Sequence, residues 1–162
     1  MKLGEVRQEK LTNGRVRLSG EAIYDTAVDG VQSEWFYFEF PPEMQGKLTD
    51  SGNPWLVLFL PISAALGEPL EISRPVDALL LEGCCELLEV WHTWMPELKI
   101  IDLKVQQGDT AKVQENRTAT FFSGGVDSLY TLLQHEDQPK AARAEIIDDL
   151  ITIFGIYARE KE

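Results

Sequence analysis

The stretch Ser123-Gly124-Gly125-Val126-Asp127-Ser128 sets two hydroxyls, two glycines and a carboxylate between an apolar run, Thr118 to Phe122, and a helical pattern opening near Val126. That mixture suits phosphate binding. Gly124 and Gly125 lack a Cβ, so the backbone can turn tightly and bring its amides close to a ligand. A helix that starts directly after the loop offers unpaired amides and the positive end of its dipole to an anion. Ser123 and Ser128 add hydroxyl donors. Asp127 is the discordant member, because a carboxylate repels phosphate. It can cap the helix, or help hold a magnesium ion that bridges to the phosphates. The expected binding set is therefore Ser123, Gly124, Gly125, Val126, Asp127 and Ser128, with Asp127 the candidate metal ligand.

The loop is not a Walker A motif, since no lysine follows the glycines, and it lacks the G-x-G-x-x-G spacing of dinucleotide folds. Ser123 or Ser128 as a nucleophile lacks a suitable local base, and the sequence assigns no catalytic residue. SGGVDS after a hydrophobic strand resembles the PP-loop of the N-type ATP pyrophosphatases. These include GMP, asparagine and NAD synthetases, argininosuccinate synthase, tRNA thiolation enzymes and the queuosine-pathway cyano-deazaguanine synthases. All fixed positions of that loop are present: Ser123, Gly124, Gly125, Asp127 and Ser128. The segments PLEISRPVDALLLEGCCELLEVWHTWMPELKIIDLKV and FFSGGVDSLYTLL are further similar to cyano-deazaguanine-synthase-like proteins, in which such a leader precedes a complete PP-loop domain.

The resemblance implies ATP and Mg2+ as cofactors and ATP-dependent adenylation of a carboxylate or carbonyl oxygen. Pyrophosphate would depart into the loop through Ser123, Gly124, Gly125 and Ser128, and the segment Phe154 to Tyr157 would begin the adenine pocket. A complete PP-loop domain carries about five parallel strands, whereas Thr118 to Glu162 supplies two. The zinc-holding cysteine cluster of the cyano-deazaguanine synthases has no counterpart, since Cys84 and Cys85 cannot replace it, so no zinc site is expected. A fragment, a natural truncation and a half-domain completed by another chain all remain open. The more distant likeness to phosphoadenylyl-sulfate reductases lacks their C-terminal cysteine.

The chain around this loop reads as α/β: an α+β N-terminal region with antiparallel strands and one long helix, followed by the opening βαβ unit of the loop domain. Arg15 to Tyr24, with Val16, Leu18 and Ile23 at apolar positions, and Glu34 to Phe40 read as antiparallel strands joined by a turn over Asp25 to Ser33. Pro42 to Leu48 admits a short helix. Trp55 to Leu66 is apolar, interrupted by Pro61 and too short for a membrane span, so it is buried strand or helix. Leu70 to Ser73 is a short strand. Val76 to Met95 is the long helix, with Leu80, Cys84, Leu87, Leu88 and Trp91 on one face, Asp77 near its start, Gly83 weakening its interior and Pro96 ending it. Lys99 to Val105 alternates as a half-buried strand before the turn Gln106-Gln107-Gly108-Asp109. These residues make a leader domain over 1–109, followed by a polar linker, 110–117. The partial PP-loop unit, 118–162, is strand, loop, helix and strand: Thr118 to Phe122, a helix with Val126, Leu129, Leu132 and Leu133 apolar, and Leu150 to Ile156. Ala141 to Asp148 is a further helical turn or two. A βαβ unit favours parallel strands.

Composition narrows the function classes. The 162 residues carry 27 acidic and 15 basic side chains, a formal charge of −12, which repels extended nucleic acid. A backbone-built phosphate site does not depend on net charge. No signal-like apolar run opens the chain, and no membrane partner is expected. The two cysteines are neighbours on a helix and read as buried small hydrophobes in a reducing cytoplasm. Trp91 is expected on the apolar helix face with His92 beside it, facing outward or toward a neighbouring element, and with His135 the one other histidine of the sequence a His-based metal site is not expected. Trp35, Phe36, Tyr37, Phe38 and Phe40 likewise suit core or interface, and Glu145, Asp148 and Asp149 a solvated helix end. Two strands and one helix leave open sheet edges, which predicts a homo-oligomer or a partner chain completing the sheet. Two functions follow: an ATP-pyrophosphatase-like, ligase-like nucleotide-binding protein, incomplete for catalysis as a lone chain, or a non-catalytic assembly or regulatory protein whose loop is structural or a weak anion site.

Overall fold

A computed structural model describes residues 1–108, 118–137 and 147–152, and the chain divides into two units, Met1–Lys112 and Val113–Glu162. In the first, β1 (Lys2–Lys10), β2 (Val16–Val28) and β3 (Val31–Phe40) form an antiparallel meander. The β2–β3 connection is tighter than the Asp25–Ser33 turn read from composition. Val28 pairs with Val31, and Asp29 and Gly30 take φ of 49° and 81°. Such a two-residue loop with both φ positive matches strand twist, and Asp-Gly is its preferred pair. β4 (Leu70–Val76) runs parallel to β1, and β5 (Leu103–Gln107) parallel to β4, giving the order β3-β2-β1-β4-β5.

Two helices connect the last three segments: α1 (Asn53–Leu66) follows β3 and a 3-10 turn at Pro42–Met44, and α2 (Ala78–Trp94) links β4 to β5. The Trp55–Leu66 run is thus helical, despite Pro61, and ends at Gly67 with φ 70°. A left-handed terminal glycine suits a helix end because it carries no Cβ. Trp55, Leu56, Phe59, Leu60 and Ala64 are buried against Leu3, Leu18, Ala22, Leu70, Ile72 and Val76 of the sheet. Each large side chain so buried is worth about 1.5–3 kcal/mol. Phe36 meets Phe59 edge-on with ring centres 5.5 Å apart, and Phe38 lies 5.5 Å from Trp55. Gly20 makes room for that indole: a Cβ there would stand 2.6 Å from the Trp55 ring.

The aromatic run of β3 divides by parity. Phe36, Phe38 and Phe40 pack against the core, whereas Trp35 and Tyr37 face the opposite side under Arg7 and Arg17, at 4.3 and 4.5 Å from the guanidinium carbons. Ile23 shares that second face, because it stands an odd number of residues along β2 from the buried Val16 and Leu18. Arg17 also hydrogen-bonds Glu39 at 2.6 Å, which holds the Glu39 carboxyl below the usual carboxylate range.

β1 was not legible as a strand, because few of its residues are apolar. Its entry is fixed by polar contacts instead. The Met1 α-ammonium donates to the Pro69 carbonyl at 2.8 Å and pairs with Asp25 at 2.9 Å and Glu68 at 3.1 Å. Glu68, nearly buried, accepts from the Asp25 and Thr26 amides at 2.9 and 2.7 Å. Lys99 to Asp102 precede rather than belong to β5, while Gln106 and Gln107 belong to the strand instead of the expected turn. Asp109 lies outside the described residues.

In the second unit β6 (Thr118–Phe121) and β7 (Ile147–Ile151) pair in parallel and α3 (Val126–Asp137) follows the loop, as an α/β reading requires. β7 begins at Ile147, three residues ahead of the Leu150 start read from hydropathy. Ile147 and Asp148 are therefore strand rather than helix; residues 141–146, with Glu145, and 153–162, with the Phe154–Tyr157 segment, lie outside the described residues. The Asp148 carboxylate accepts from the Thr118 amide at 2.9 Å, a hydrogen bond that ties the two strands together at their start.

Candidate functional site

The loop Ser123–Ser128 leaves β6 at the edge of a short parallel sheet, and β7 braces that exit. The Phe122 amide donates to the Ile151 carbonyl at 2.8 Å, and the Thr152 hydroxyl donates to the Phe122 carbonyl at 3.0 Å. Thr152 was absent from the residues singled out in the sequence; a hydroxyl directly after the second strand is the signal that marks it. Gly124 then turns the chain with φ 75°, a conformation L side chains rarely adopt. Gly125 follows with its carbonyl accepting from the Leu129 amide at 3.1 Å, so it stands at the cap position of α3.

That placement decides what the loop can offer. With Gly125 at the cap, Val126, Asp127 and Ser128 occupy the first turn, where amides have no acceptor within the helix. Three donors at the positive end of a dipole suit an oxyanion. The two serines converge on the same spot. The Ser123 hydroxyl accepts from the Gly125 amide and donates to the Ser128 hydroxyl, each at 3.3 Å, and Ser128 donates to the Gly125 carbonyl at 2.9 Å. A side chain at position 125 would press on Ser123, its Cβ 3.3 Å from the hydroxyl oxygen.

Asp127 sits one residue inside the helix, exposed, so it does not fill the cap position. Its carboxylate is a hard oxygen donor beside orphan amides, the chemistry by which Mg2+ is commonly held through one carboxylate and the phosphates themselves. The residues present thus fit a magnesium–phosphate group: the amides of the first turn and the serine hydroxyls would hold phosphate oxygens, and Asp127 would hold the ion. Bound there, magnesium would supply neutralisation of phosphate charge.

Of the other candidates, Trp91 and Cys84 lie in packing, whereas Cys85 is exposed, which corrects the reading of both cysteines as buried, and Trp94 is 75% exposed at the end of α2. Trp91 is half-buried between α1 and α2, and the His92 ring nitrogen Nδ1 lies 2.7 Å from the Leu98 carbonyl. Cys84 is buried and Cys85 exposed, both as free thiols, and burial pushes the Cys84 thiol up. Asp148 and Asp149 lie on β7, which corrects the expectation of a helix end; Asp148 serves the Thr118 amide. No grouping of three or more His, Cys, Asp or Glu side chains placed to hold a metal occurs among the described residues, and none of their helices is long and apolar enough to cross a membrane. No family model, curated protein or solved structure significantly matches this chain.

Proposed function

We propose that Ser123–Ser128 is a phosphate cradle that takes the pyrophosphate portion of ATP, in the manner of the ATP-pyrophosphatase loop it resembles. The observation that carries this reading is the coincidence of a left-handed Gly124 with a helix capped by Gly125. A glycine cap has no side chain to occupy the first-turn amides, which leaves them directed at the ligand. Ser123 and Ser128 trade their mutual hydrogen bond for phosphate oxygens, and Asp127 acts through magnesium. On this reading the chain belongs with adenylating, ligase-like proteins that split ATP between the α- and β-phosphorus.

The test is calorimetric titration with pyrophosphate, ATP and AMP, with and without Mg2+, on the native chain and on Asp127→Ala and Ser128→Ala. Pyrophosphate and ATP should bind, AMP should not, and Ser128→Ala should weaken both at least tenfold. Asp127→Ala should remove the magnesium dependence. Heats that are the same for all three ligands, or unaffected by either substitution, would sink the assignment.

One observation favours a second reading, a non-catalytic assembly or regulatory protein. The hydroxyls of Ser123 and Ser128 already satisfy each other and the Gly125 backbone. A loop closed on itself can serve purely as a strand-to-helix turn. Silence in every titration, with thermal stability lowered by Ser128→Ala, is the result this second reading expects.

A further inference from the structure

We propose that the groove between α1 and α2 is a docking site for a cationic amphipathic helix of another protein. The groove encloses about 770 Å³, with Val57, Leu60 and Pro61 on one wall and Leu80, Leu87 and Trp91 on the other. A smaller apolar hollow of about 400 Å³ lies on the far side of Val57, against Phe38 and Leu58. Val57 is therefore a ridge between two depressions, 56% exposed, on the same outward strip of α1 as the exposed Pro61 and Ala65.

The length of the apolar surface selects an elongated occupant. Leu79, Gly83, Leu87, Val90 and Trp94 follow one another at intervals of four, four, three and four along α2. At 1.5 Å per residue this stripe runs about 22 Å, the length of roughly four helical turns. Exposed apolar surface on that scale marks an interaction site. Leu79 and Trp94 at its two ends are 58% and 75% exposed. Near the middle, Gly83 has no atom within 4 Å of the position its Cβ would take, so a partner helix can approach the α2 backbone closely there. Spacing of this kind is how helices present anchors to a groove.

Charge selects the occupant's chemistry. α1 carries no ionisable side chain, and α2 carries Glu82, Glu86 and Glu89 with no lysine or arginine. At 3.6 residues per turn these three carboxylates fall together along the border of the stripe that faces away from α1. A partner helix laid in the groove would set its own flank beside them, where lysine or arginine gains and a carboxylate is repelled. A second copy offers the same acidic row and is disfavoured for that reason.

The experiment uses the full chain and two designed 18-residue amphipathic helices with identical leucine faces, one with lysine on its polar face and one with glutamate. Binding is followed by the fluorescence of Trp91 and Trp94 and by anisotropy of labelled peptide. The lysine peptide should bind with a blue shift, and the glutamate peptide at least tenfold more weakly. Gly83→Gln, on an open helical surface, should weaken the lysine peptide tenfold or more. The pair Glu86→Lys with Glu89→Lys should reverse the order of the two peptides; circular dichroism checks that both variants fold. Four outcomes overturn the proposal: no binding of either peptide, equal binding of both, lysine-peptide affinity unchanged by Gly83→Gln, or a stable dimer of the chain that Gly83→Gln dissociates.

Discussion

Trp55, Leu56, Phe59 and Leu60 of Met1–Lys112 are 2% exposed or less, under a sheet whose five strands are all paired. In Val113–Glu162 most apolar residues of the described strands and helix are exposed, Phe121 68%, Val126 82%, Tyr130 63% and Leu133 54%, while Leu132 and Ile147 are half-buried and none is buried. Both units use the same grammar of strand, turn and amphipathic helix. They differ in how far apolar pattern has become burial. The first unit's stability comes from its own side chains, so its helix starts and turns are free to be closed by local hydrogen bonds. The second holds its loop by a few backbone contacts from β7 and keeps the first turn of α3 open. Ligand-binding segments are drawn from the less stable parts of a fold, and the phosphate-like loop lies in the unit with less burial.

Core truncation should give the largest separation between the units. Trp55→Ala removes a side chain 1% exposed that contacts Phe38 and Phe59, and is expected to cost about 3–5 kcal/mol. Leu133→Ala, half exposed, should cost under about 1 kcal/mol. Urea denaturation followed by far-ultraviolet circular dichroism reads both. Equal costs would mean that the α3 face is covered in solution, and the contrast between the units would be lost.

Close approach gives the next effect. Gly20→Ala puts a methyl group 2.6 Å from the rigid Trp55 indole, so β2 or α1 must shift, at about 1–3 kcal/mol. All four tryptophans, Trp35, Trp55, Trp91 and Trp94, belong to the first unit, so their emission reports that unit alone. The substitution should lower the urea midpoint seen by tryptophan fluorescence while pyrophosphate binding at Ser123–Ser128 persists. Loss of both together would show that the two units unfold as one.

What the sequence made legible follows from where the physics is local. Alternation located β2 and β3, helical spacing located α2, and glycine, serine and aspartate chemistry located the loop. Pattern failed where a segment is stabilised from outside itself. Lys2–Lys10 is a strand because it lies between β2 and β4 and because Met1 is anchored by Glu68, neither of which its own residues announce. Asn53–Leu66 is apolar nearly all round, so periodicity could not separate helix from strand, and Pro61 argued against the helix that burial enforces. Ile147 and Asp148 looked helical because their strand partner, Thr118, is distant in sequence. At the site, the six loop residues were legible from their types, whereas Gly125 as the cap, with Asp127 inside the helix, depends on φ angles that composition does not encode.

Acid should act on the first unit through Glu68. Burial pushes its carboxyl up, but the Asp25 and Thr26 amides and the Met1 ammonium outweigh that and hold it below the usual range. A lowered folded-state value means the group stabilises the fold above its unfolded pKa of about 4.3, and that this contribution is lost as pH falls toward the lowered value. Glu68→Gln should therefore lower stability at pH 7 by about 1–3 kcal/mol and flatten the acid limb below about pH 4.3. Thermal melts between pH 3 and 7 check both, and an unchanged acid limb would mean that other carboxylates govern it.

The smallest and sharpest contrast sets two aspartates against each other at two helix starts. Asp77 is the cap of α2, its carboxylate accepting from the Leu79 and Leu80 amides at 2.9 and 3.2 Å. Asp77→Ala should cost about 1 kcal/mol of stability and leave anion binding unaltered. Asp127 stands within the first turn of α3, where its charge favours the dipole by about 0.3–1 kcal/mol but its carboxylate does not fill the cap. Asp127→Ala should thus cost less than Asp77→Ala, and in magnesium-free buffer it should raise the affinity for inorganic pyrophosphate by removing a like charge beside the first-turn amides. With magnesium present the same substitution should lower it. A change of sign with magnesium is what separates a carboxylate that holds an ion from one that merely decorates a helix start, and an Asp127→Ala chain that binds pyrophosphate as the native chain does in each buffer would place the aspartate outside the site.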